Sequence, residues 1–373
     1  MDALTTPSNW QKVRLGDIGK PCMCKRVMKH QTTRYGEIPF YKIGTFGNTA
    51  DAFISKKLFL EYKTKYSFPK KGDILISASG TIGRAVIYDG KPAYFQDSNI
   101  VWIDNDETLV KNDFLFYVYS NIKWNTEHTT ILRLYNDNFK NTLIPLPPLD
   151  EQIAIANVLS DVDRYLYALD ALILKKESVK KALSFELLSQ RKRLKGFNQA
   201  WQKVRLGDIA NYLTSNLSAE QITQQGKIKV YDVNNFIGYT DTTFISDKPY
   251  ISIVKDGSVG RVRILPPKTN ILSTMGALIA NHKTTTEFLF YLLSNFDFKN
   301  FTSGSIIPHI YFKDYKEKTI FLPPLDEQIA IANILSGLDH EIISLKNKKR
   351  QFENIKKALN HDLMSAKIRV LKK

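Results

Sequence analysis

The apolar positions of this chain follow two different rhythms. Leu159, Val162, Leu166, Leu169 and Ile173, then Leu183 and Leu187, step by three and four. Leu335, Leu338, Ile342, Leu345, Phe352, Leu359 and Leu363 repeat the pattern, with Val370 at its far end. That spacing places them on one helix face and predicts two long helices with coiled-coil seams. Lys176 and Lys180 interrupt the first seam. Run from Leu159 to Leu194, the first helix would span roughly 54 Å at about 1.5 Å per residue. Neither stripe can be buried alone, and if the two similar helices pack antiparallel on each other, the segments between them are placed at opposite ends of the pair. Pro147 and Pro148 cannot lie inside a helix, whereas Asp150 and Glu151 suit a cap and first turn.

Elsewhere the apolar runs are short. Asp73–Ser77, Ala85–Tyr88 and Asn99–Ile103 are separated by Gly and Asp turns, which predicts strands. Phe114–Ile122 and Glu287–Asn295 read as helices within these segments. Residues 11–145 and 202–321 therefore form two α+β globules, and the chain order is globule, long helix, globule, long helix. The domain boundaries on this reading are 1–149, 150–196, 197–325 and 326–373.

The order reflects an internal repeat. Trp10–Ile18 and Trp201–Ile209 both read WQKVRLGDI, and LPPLDEQIAIANVLS at Leu146–Ser160 returns as LPPLDEQIAIANILS at Leu322–Ser336. Between these blocks the halves align weakly but in register. Gly80–Arg84 (GTIGR) corresponds to Gly257–Arg261 (GSVGR), and Ile38–Tyr41 to Ile228–Tyr231. Plain duplication with drift would erode all blocks alike, but here the divergence is concentrated where a variable surface would sit.

Length and charge narrow the function. A chain of 373 residues with 43% hydrophobic and 24% charged residues has the composition of a folded protein of two or three domains. No window reaches 18 uncharged apolar residues, the first residues do not resemble a signal peptide, and Cys22 and Cys24 are too few for a disulfide framework. A soluble protein of the reducing cytoplasm, away from membranes, is expected. The 53 Lys+Arg against 37 Asp+Glu, a formal charge of +16, point to a polyanionic partner, nucleic acid before membrane. Two similar globules related by a pseudo-twofold axis would match the twofold symmetry of a DNA duplex. Because they differ in sequence, the expected target is a bipartite, asymmetric site whose gap is set by helix length.

Catalytic signals are missing from the sequence. The Pro-Pro pairs follow Leu146, Leu265 and Leu322 rather than the Asn or Asp that holds a flipped base, and neither a cofactor-binding glycine loop nor a P-loop occurs. Gly80-x-x-Gly83 and Gly257-x-x-Gly260 are too short for either and read as tight turns, with close approach to a DNA backbone as the alternative. The six histidines include no pair at metal spacing, and His128 and His309 sit near loops. No catalytic or metal site is expected.

The duplicated LPPLDEQIAIAN blocks, the WQKVRLGDI openings and the GTIGR and GSVGR loops resemble the specificity (S) subunits of type I restriction-modification systems, over essentially the whole chain. The resemblance implies an α+β fold: two target-recognition globules of mixed α/β structure, separated by two long helices pairing as an antiparallel coiled coil, in a pseudo-twofold internal repeat. It implies a non-catalytic subunit that reads double-stranded DNA. It further implies two methyltransferase (M) subunits transferring methyl groups from S-adenosylmethionine to adenine N6, and two restriction (R) subunits using ATP. S-adenosylmethionine, ATP and Mg would then sit on those partners and no cofactor on this chain. A free-standing two-headed DNA-binding regulator or structural protein is the alternative, and an enzyme acting directly on DNA is disfavoured by the missing motifs.

Phosphate contacts supply affinity and base-edge contacts supply sequence choice. In the first globule Gly19–Gly36 carries Lys20, Lys25, Arg26, Lys29, His30 and Arg34 with no acidic residue, which suits a backbone-facing loop, a solvated charge run being the alternative. Lys42 and Thr45 in FYKIGTF, Arg84 after the glycine turn and Arg133 complete that set. The second globule offers Lys229, Asn234, Asn235, Arg261, Arg263, His309 and Lys313. Arg suits guanine and Asn suits adenine in the major groove. The basic tract from Glu341 to Lys373 is read mainly as the exposed face of the second long helix, with partner binding or a phosphate path as the alternative. For the methyltransferase contact the candidates are Leu149, Asp150, Glu151 and Gln152 with their repeats Leu325, Asp326, Glu327 and Gln328. A proline-stopped loop and helix cap explain the same residues structurally.

Overall fold

The computed structural model describes residues 9–128 and 132–371, in two compact units. One unit holds the described residues up to Leu169 together with those from Lys348 onward; the other runs from Asp170 to Asn347. Each contains one globule and half of each long helix.

The two globules share one topology. In the first, a four-stranded antiparallel sheet has the order Gly19–Met23, Ile100–Asn105, Ile74–Ser77, Ala85–Ile87. A three-stranded sheet orders Ala52–Ile54, Ile38–Tyr41, Tyr94–Phe95, its last pair parallel. In the second, the corresponding orders are Ala210–Thr214, Met275–Ala280, Tyr250–Val254, Val262–Leu265 and Phe236–Thr240, Ile228–Tyr231, Asn270–Ile271. The repeated QKVR segments, Gln11–Arg14 and Gln202–Arg205, each pair antiparallel with the strand entering a long helix, Leu143–Leu146 and Thr319–Leu322. The predicted strands are present, and the helices inside the globules lie at Asn112–Tyr119 and Thr286–Ser294. The first globule alone inserts a helix, Lys56–Lys65, where the second has an irregular loop. Its start is capped by Ser55, whose hydroxyl accepts Leu58 N–H at 3.2 Å.

Each long helix has 40 residues, Leu149–Leu188 and Leu325–Met364. Both stop earlier than the apolar spacing predicts. Leu194 and Val370 lie beyond the ends, after the positive-φ residues Gln190 and Ala366. They still pack against the cores of their units, and beyond the helix ends Arg193 and Arg369 reach the start of the opposite helix at Glu327 and Glu151. Within the first unit Asp163 meets Lys356 at 2.5 Å and the Tyr165 and Phe352 rings lie 4.6 Å apart. Within the second, Lys176 meets Glu341 at 2.7 Å and Lys180 meets Asp339. Partners advance in one helix as they retreat in the other, so the helices pair as an antiparallel coiled coil.

Lys176 and Lys180 do not break the seam, as their charge suggested; they are paired across it. Lys180 belongs to a cluster found in both units. Tyr117 Oη donates to Asp163 at 2.8 Å while Lys356 lies 5.6 Å from the Tyr117 ring centre; Tyr291, Asp339 and Lys180 repeat the arrangement at 2.8 and 5.6 Å. Burial, then the carboxylate neighbour, raises both phenol pKa values. Such a cluster joins each globule to the helix pair through a paired carboxylate. Ile155, Ala156 and Leu159 anchor the first helix in its unit's core, and Ile331, Ala332 and Leu335 do so for the second. Cys22 and Cys24 are free thiols, and burial pushes the Cys24 thiol up to about 12. Among the described residues no helix is long and apolar enough to cross a membrane.

Candidate nucleic-acid interface

The glycine turns organise the candidate residues. Gly83 N donates to Ser77 O and Gly260 N to Val254 O, both at 2.9 Å, closing the same loop in each unit. Gly80, Gly83, Gly257 and Gly260 have φ of 66°, 82°, 83° and 80°, a region that residues with a Cβ avoid. A Cβ would also run into Trp124 at Gly83 and into Phe298 at Gly260. These are tight turns, as their spacing suggested. A short hairpin lies against each turn: Gly80 N donates to Leu132 O at 3.2 Å and Gly257 N to Pro308 O at 2.9 Å. Bridges Ser79–Arg133 and Asp256–His309 follow. Folding therefore brings Arg133 to the Arg84 turn and His309 to the Arg261 turn.

In the first unit, Arg84 Nη1 donates to Phe46 O at 3.0 Å, tying in the loop that holds Lys42 and Thr45. Thr45 Oγ1 accepts Lys42 N–H at 3.1 Å, so its hydroxyl already serves the turn. Ser79 Oγ donates to Asn99 Oδ1 at 2.6 Å. The loop read as an unopposed basic run is partly opposed, because Asp97 comes within 2.8 Å of Arg26 Nε from 71 residues away. Lys42 likewise meets Asp51 at 2.8 Å. Exposed pairs of this kind contribute about 0 to 1 kcal/mol, so either cation can exchange its carboxylate for a phosphate. Lys25 lies 5.1 Å from the Tyr66 ring centre, and Arg34 is exposed beside Tyr35.

In the second unit, Asn234, Arg261 and Arg263 line one recess of about 250 Å³. Arg263 Nη1 donates to Asn234 O at 2.6 Å and its guanidinium lies 5.0 Å from the Tyr231 ring centre, which holds it in place. Asn234 N and Asn235 N donate to Asp232 at 2.7 and 2.6 Å, leaving both side-chain amides exposed. His309 Nδ1 sits 2.7 Å from Asp256, its ring stacked on Tyr311, over which Lys313 also lies. Lys229 stands apart on the three-stranded sheet, over Phe236. The sequence reading missed Ser79, Asn99 and Asp256, which position their neighbours, and the exposed tips Tyr35 and Ile306. The bridges Ser79–Arg133 and Asp256–His309 join residues 53 or more positions apart, so no local pattern signalled them.

The repeated LPPLDEQ blocks require a correction. Glu151, Gln152, Glu327 and Gln328 do not face outward to a partner; none is more than 1% exposed. Glu151 accepts Trp10 Nε1 at 3.0 Å and a two-pronged contact from Arg369 at 2.5 and 2.7 Å. Glu327 accepts Trp201 Nε1 at 2.9 Å and Arg193 at 3.2 and 2.6 Å. Hydrogen bonding to the carboxylate raises the pKa of each arginine. Gln152 spans Leu109 O, Pro147 O and Lys111 N, and Gln328 spans Lys283 O, Pro323 O and Thr285 N, all within 2.8 to 3.1 Å. These four residues lock each helix start to its globule, since a buried charge or amide is costly unless paired. The tract after Glu341 is largely the exposed helix face that its charge suggested, with Lys346, Lys348, Arg350 and Lys357 exposed, while Lys356 and Arg369 are held by Asp163 and Glu151. What remains exposed at each helix start is Leu149 with Asp150 and Ile153, and Leu325 with Asp326 and Ile329.

Comparison with known proteins agrees with this architecture. A family model described as the type I restriction modification DNA specificity domain matches residues 7–177 and again 198–354. A putative type I restriction enzyme specificity subunit of Haemophilus influenzae, S.HindORF215P, is 64% identical over 148 residues, 39% of this chain and 38% of that protein. The putative type I restriction enzyme MjaX specificity subunit of Methanocaldococcus jannaschii is 28% identical over 98% of this chain and 95% of its own length. The crystal structure of a type I restriction-modification S subunit from M. genitalium shares the fold, with a TM-score of 0.63 at 20% identity, over 98% of this chain and 99% of that one. With two copies of the DNA specificity domain filling both units, the chain belongs to the family of type I restriction-modification specificity subunits, which recognise DNA sequence.

Proposed function

We propose that each unit reads one half of a bipartite, asymmetric DNA site and that the helix pair sets the gap between the halves. The observation that carries this reading is the glycine turn with its hairpin, which has the same hydrogen bonds in both units but different side chains. Arg84 and Arg133 serve the first half-site; Asn234, Arg261, Arg263 and His309 serve the second. Lys25, Arg26, Arg34, Lys42, Lys229 and Lys313 supply phosphate contacts, which set affinity and its dependence on salt.

The chain carries no catalytic residue on this reading. It is a scaffold for two adenine-N6 methyltransferase subunits and for restriction subunits, with S-adenosylmethionine, ATP and Mg held by those partners. The methyltransferase subunits contact the twice-repeated exposed patch, Leu149 and Ile153 in one copy and Leu325 and Ile329 in the other. An identical surface used twice explains why these positions match when the recognition loops do not.

Methylation profiling of DNA modified by the assembled complex tests the reading. Replacing residues 20–145 by those of a relative is expected to change one half of the recognised sequence and to leave the other half and the gap intact. A change in both halves would overturn the assignment of one unit to each half. Methyl transfer by the pure chain with S-adenosylmethionine would overturn the non-catalytic role.

A further inference from the structure

We infer that Ile306, at the tip of the second unit's hairpin, is a specificity residue that reads a thymine methyl group in the major groove. This rests on the reading that the second unit contacts one DNA half-site. Ile306 is 92% exposed, the most exposed large apolar side chain among the described residues, with Ile307 at 54% and Tyr311 at 50% on the same hairpin. A single exposed aliphatic residue would be unremarked, but here Ile306 and Ile307 share one tip, with Tyr311 at the base of the same hairpin.

The tip is held in shape. Strands Thr302–Ser303 and His309–Ile310 pair antiparallel, and Gly304 closes the loop at φ 91°, where a Cβ would run into Ile307 O. Pro308 O is fixed by Gly257 N at 2.9 Å, and Ile310 N by Lys255 O at the same distance. Cations lie at the base of the hairpin: Arg261 and Lys299 line one recess with Thr302, and Lys313 lies over Tyr311. An apolar tip projecting beyond positive groups matches a DNA groove, where phosphates border the base edges. The major groove admits a two-stranded ribbon of this kind, and the C5-methyl of thymine is the apolar feature it presents. Burying Ile306 against that methyl removes from water a side chain that otherwise stays solvated.

The test uses the full chain in its methyltransferase complex and duplexes carrying the recognised site. The half-site that does not move when residues 20–145 are exchanged is the second unit's. It is expected to contain at least one A·T pair. Replacing its thymines by deoxyuridine, one at a time, is expected to weaken binding at one position by about threefold to fivefold, the scale of one buried methyl group. I306A is expected to weaken binding to the thymine duplex by about threefold to tenfold and to lose less on the deoxyuridine duplex. Thermal unfolding of I306A should match the parent. A half-site of G·C pairs only, no sensitive thymine, or an equal loss on both duplexes overturns the inference and leaves the half-site reading standing. A rise in 2-aminopurine fluorescence at a base step would mean insertion between bases, and weaker methyltransferase binding by I306A would mean a protein contact. Either also overturns it. If neither half-site follows the exchanged segment, the half-site reading itself fails, and this inference with it.

Discussion

At the turn that begins at Ser79 in the first unit and at Asp256 in the second, the backbones make the same hydrogen bonds while the side chains do different chemistry. Ser79 donates a hydrogen bond from its hydroxyl to Asn99 Oδ1 and faces Arg133; Asp256 holds His309. The loops Lys29–Gly36 and Ala219–Gly226 make the same comparison. Thr33 and Thr223 form equivalent bridges to Phe53 and Tyr239, yet Lys29, His30, Arg34 and Tyr35 on one correspond to Ala219, Glu220, Gln224 and Gln225 on the other. Against this, the Trp–Glu–Arg clamps and the Tyr–Asp–Lys clusters match atom for atom between units. The backbone of a hairpin or tight turn is held by main-chain hydrogen bonds, so its outward side chains can change without loss of fold. A buried carboxylate has no such freedom, because each alternative leaves a charge unpaired.

If that division is right, substitutions in the clamps should affect stability in one unit and substitutions on the turns should affect one half-site. The largest effect is expected for Glu151→Ala or Glu327→Ala, which leaves Trp and Arg partners uncompensated and costs about 3 to 5 kcal/mol in the affected unit. Hydrogen exchange resolved along the chain should show loss of protection in that unit first; equal loss in both would break the comparison. Next come Arg133→Ala and His309→Ala. Each is expected to relax sequence choice in its own half-site by about 1 to 3 kcal/mol per base contact, read by binding to duplexes varied at each position. A shift in the other half-site would contradict the assignment.

A smaller effect is expected for Tyr117→Phe and Tyr291→Phe, about 0.5 to 1.5 kcal/mol each in denaturant unfolding. These phenols also carry a pH signature. Their pKa is raised by burial in the folded state, so the unfolded chain loses its phenolic protons first. Their contribution is complete below the ordinary phenol pKa of about 10 and is lost as pH rises above it. Unfolding curves of the double Phe variant should fall less steeply than the parent's above that pH. The smallest effect is expected for Lys25→Ala or Arg34→Ala, a uniform weakening for all DNA sequences with a salt slope reduced by about 1.

Much of the frame was legible in the order of residues. The three-and-four spacing identified both long helices, and the repeated blocks required two globules of one topology, because identical strand and helix-start sequences impose the same local pairing. The glycine spacing marked the turns, since only glycine takes their positive φ cheaply. The spacing could not say where each helix stops, because Leu194 and Val370 remain apolar for a different reason, packing back on the core. Nor could it tell a partner-facing block from a buried clamp. Glu151 looks like a helix-start carboxylate until Trp10 and Arg369 reach it from 141 and 218 residues away. The same holds for Arg26, whose carboxylate partner lies 71 residues off, and for Arg133 and His309, which reach their turns through single bridges. Local spacing and turn chemistry act within a few residues and are written in the sequence itself. Which distant groups share a buried charge, and which cations are left to meet DNA, was decided by tertiary structure, because burial and pairing exist only once the chain has folded.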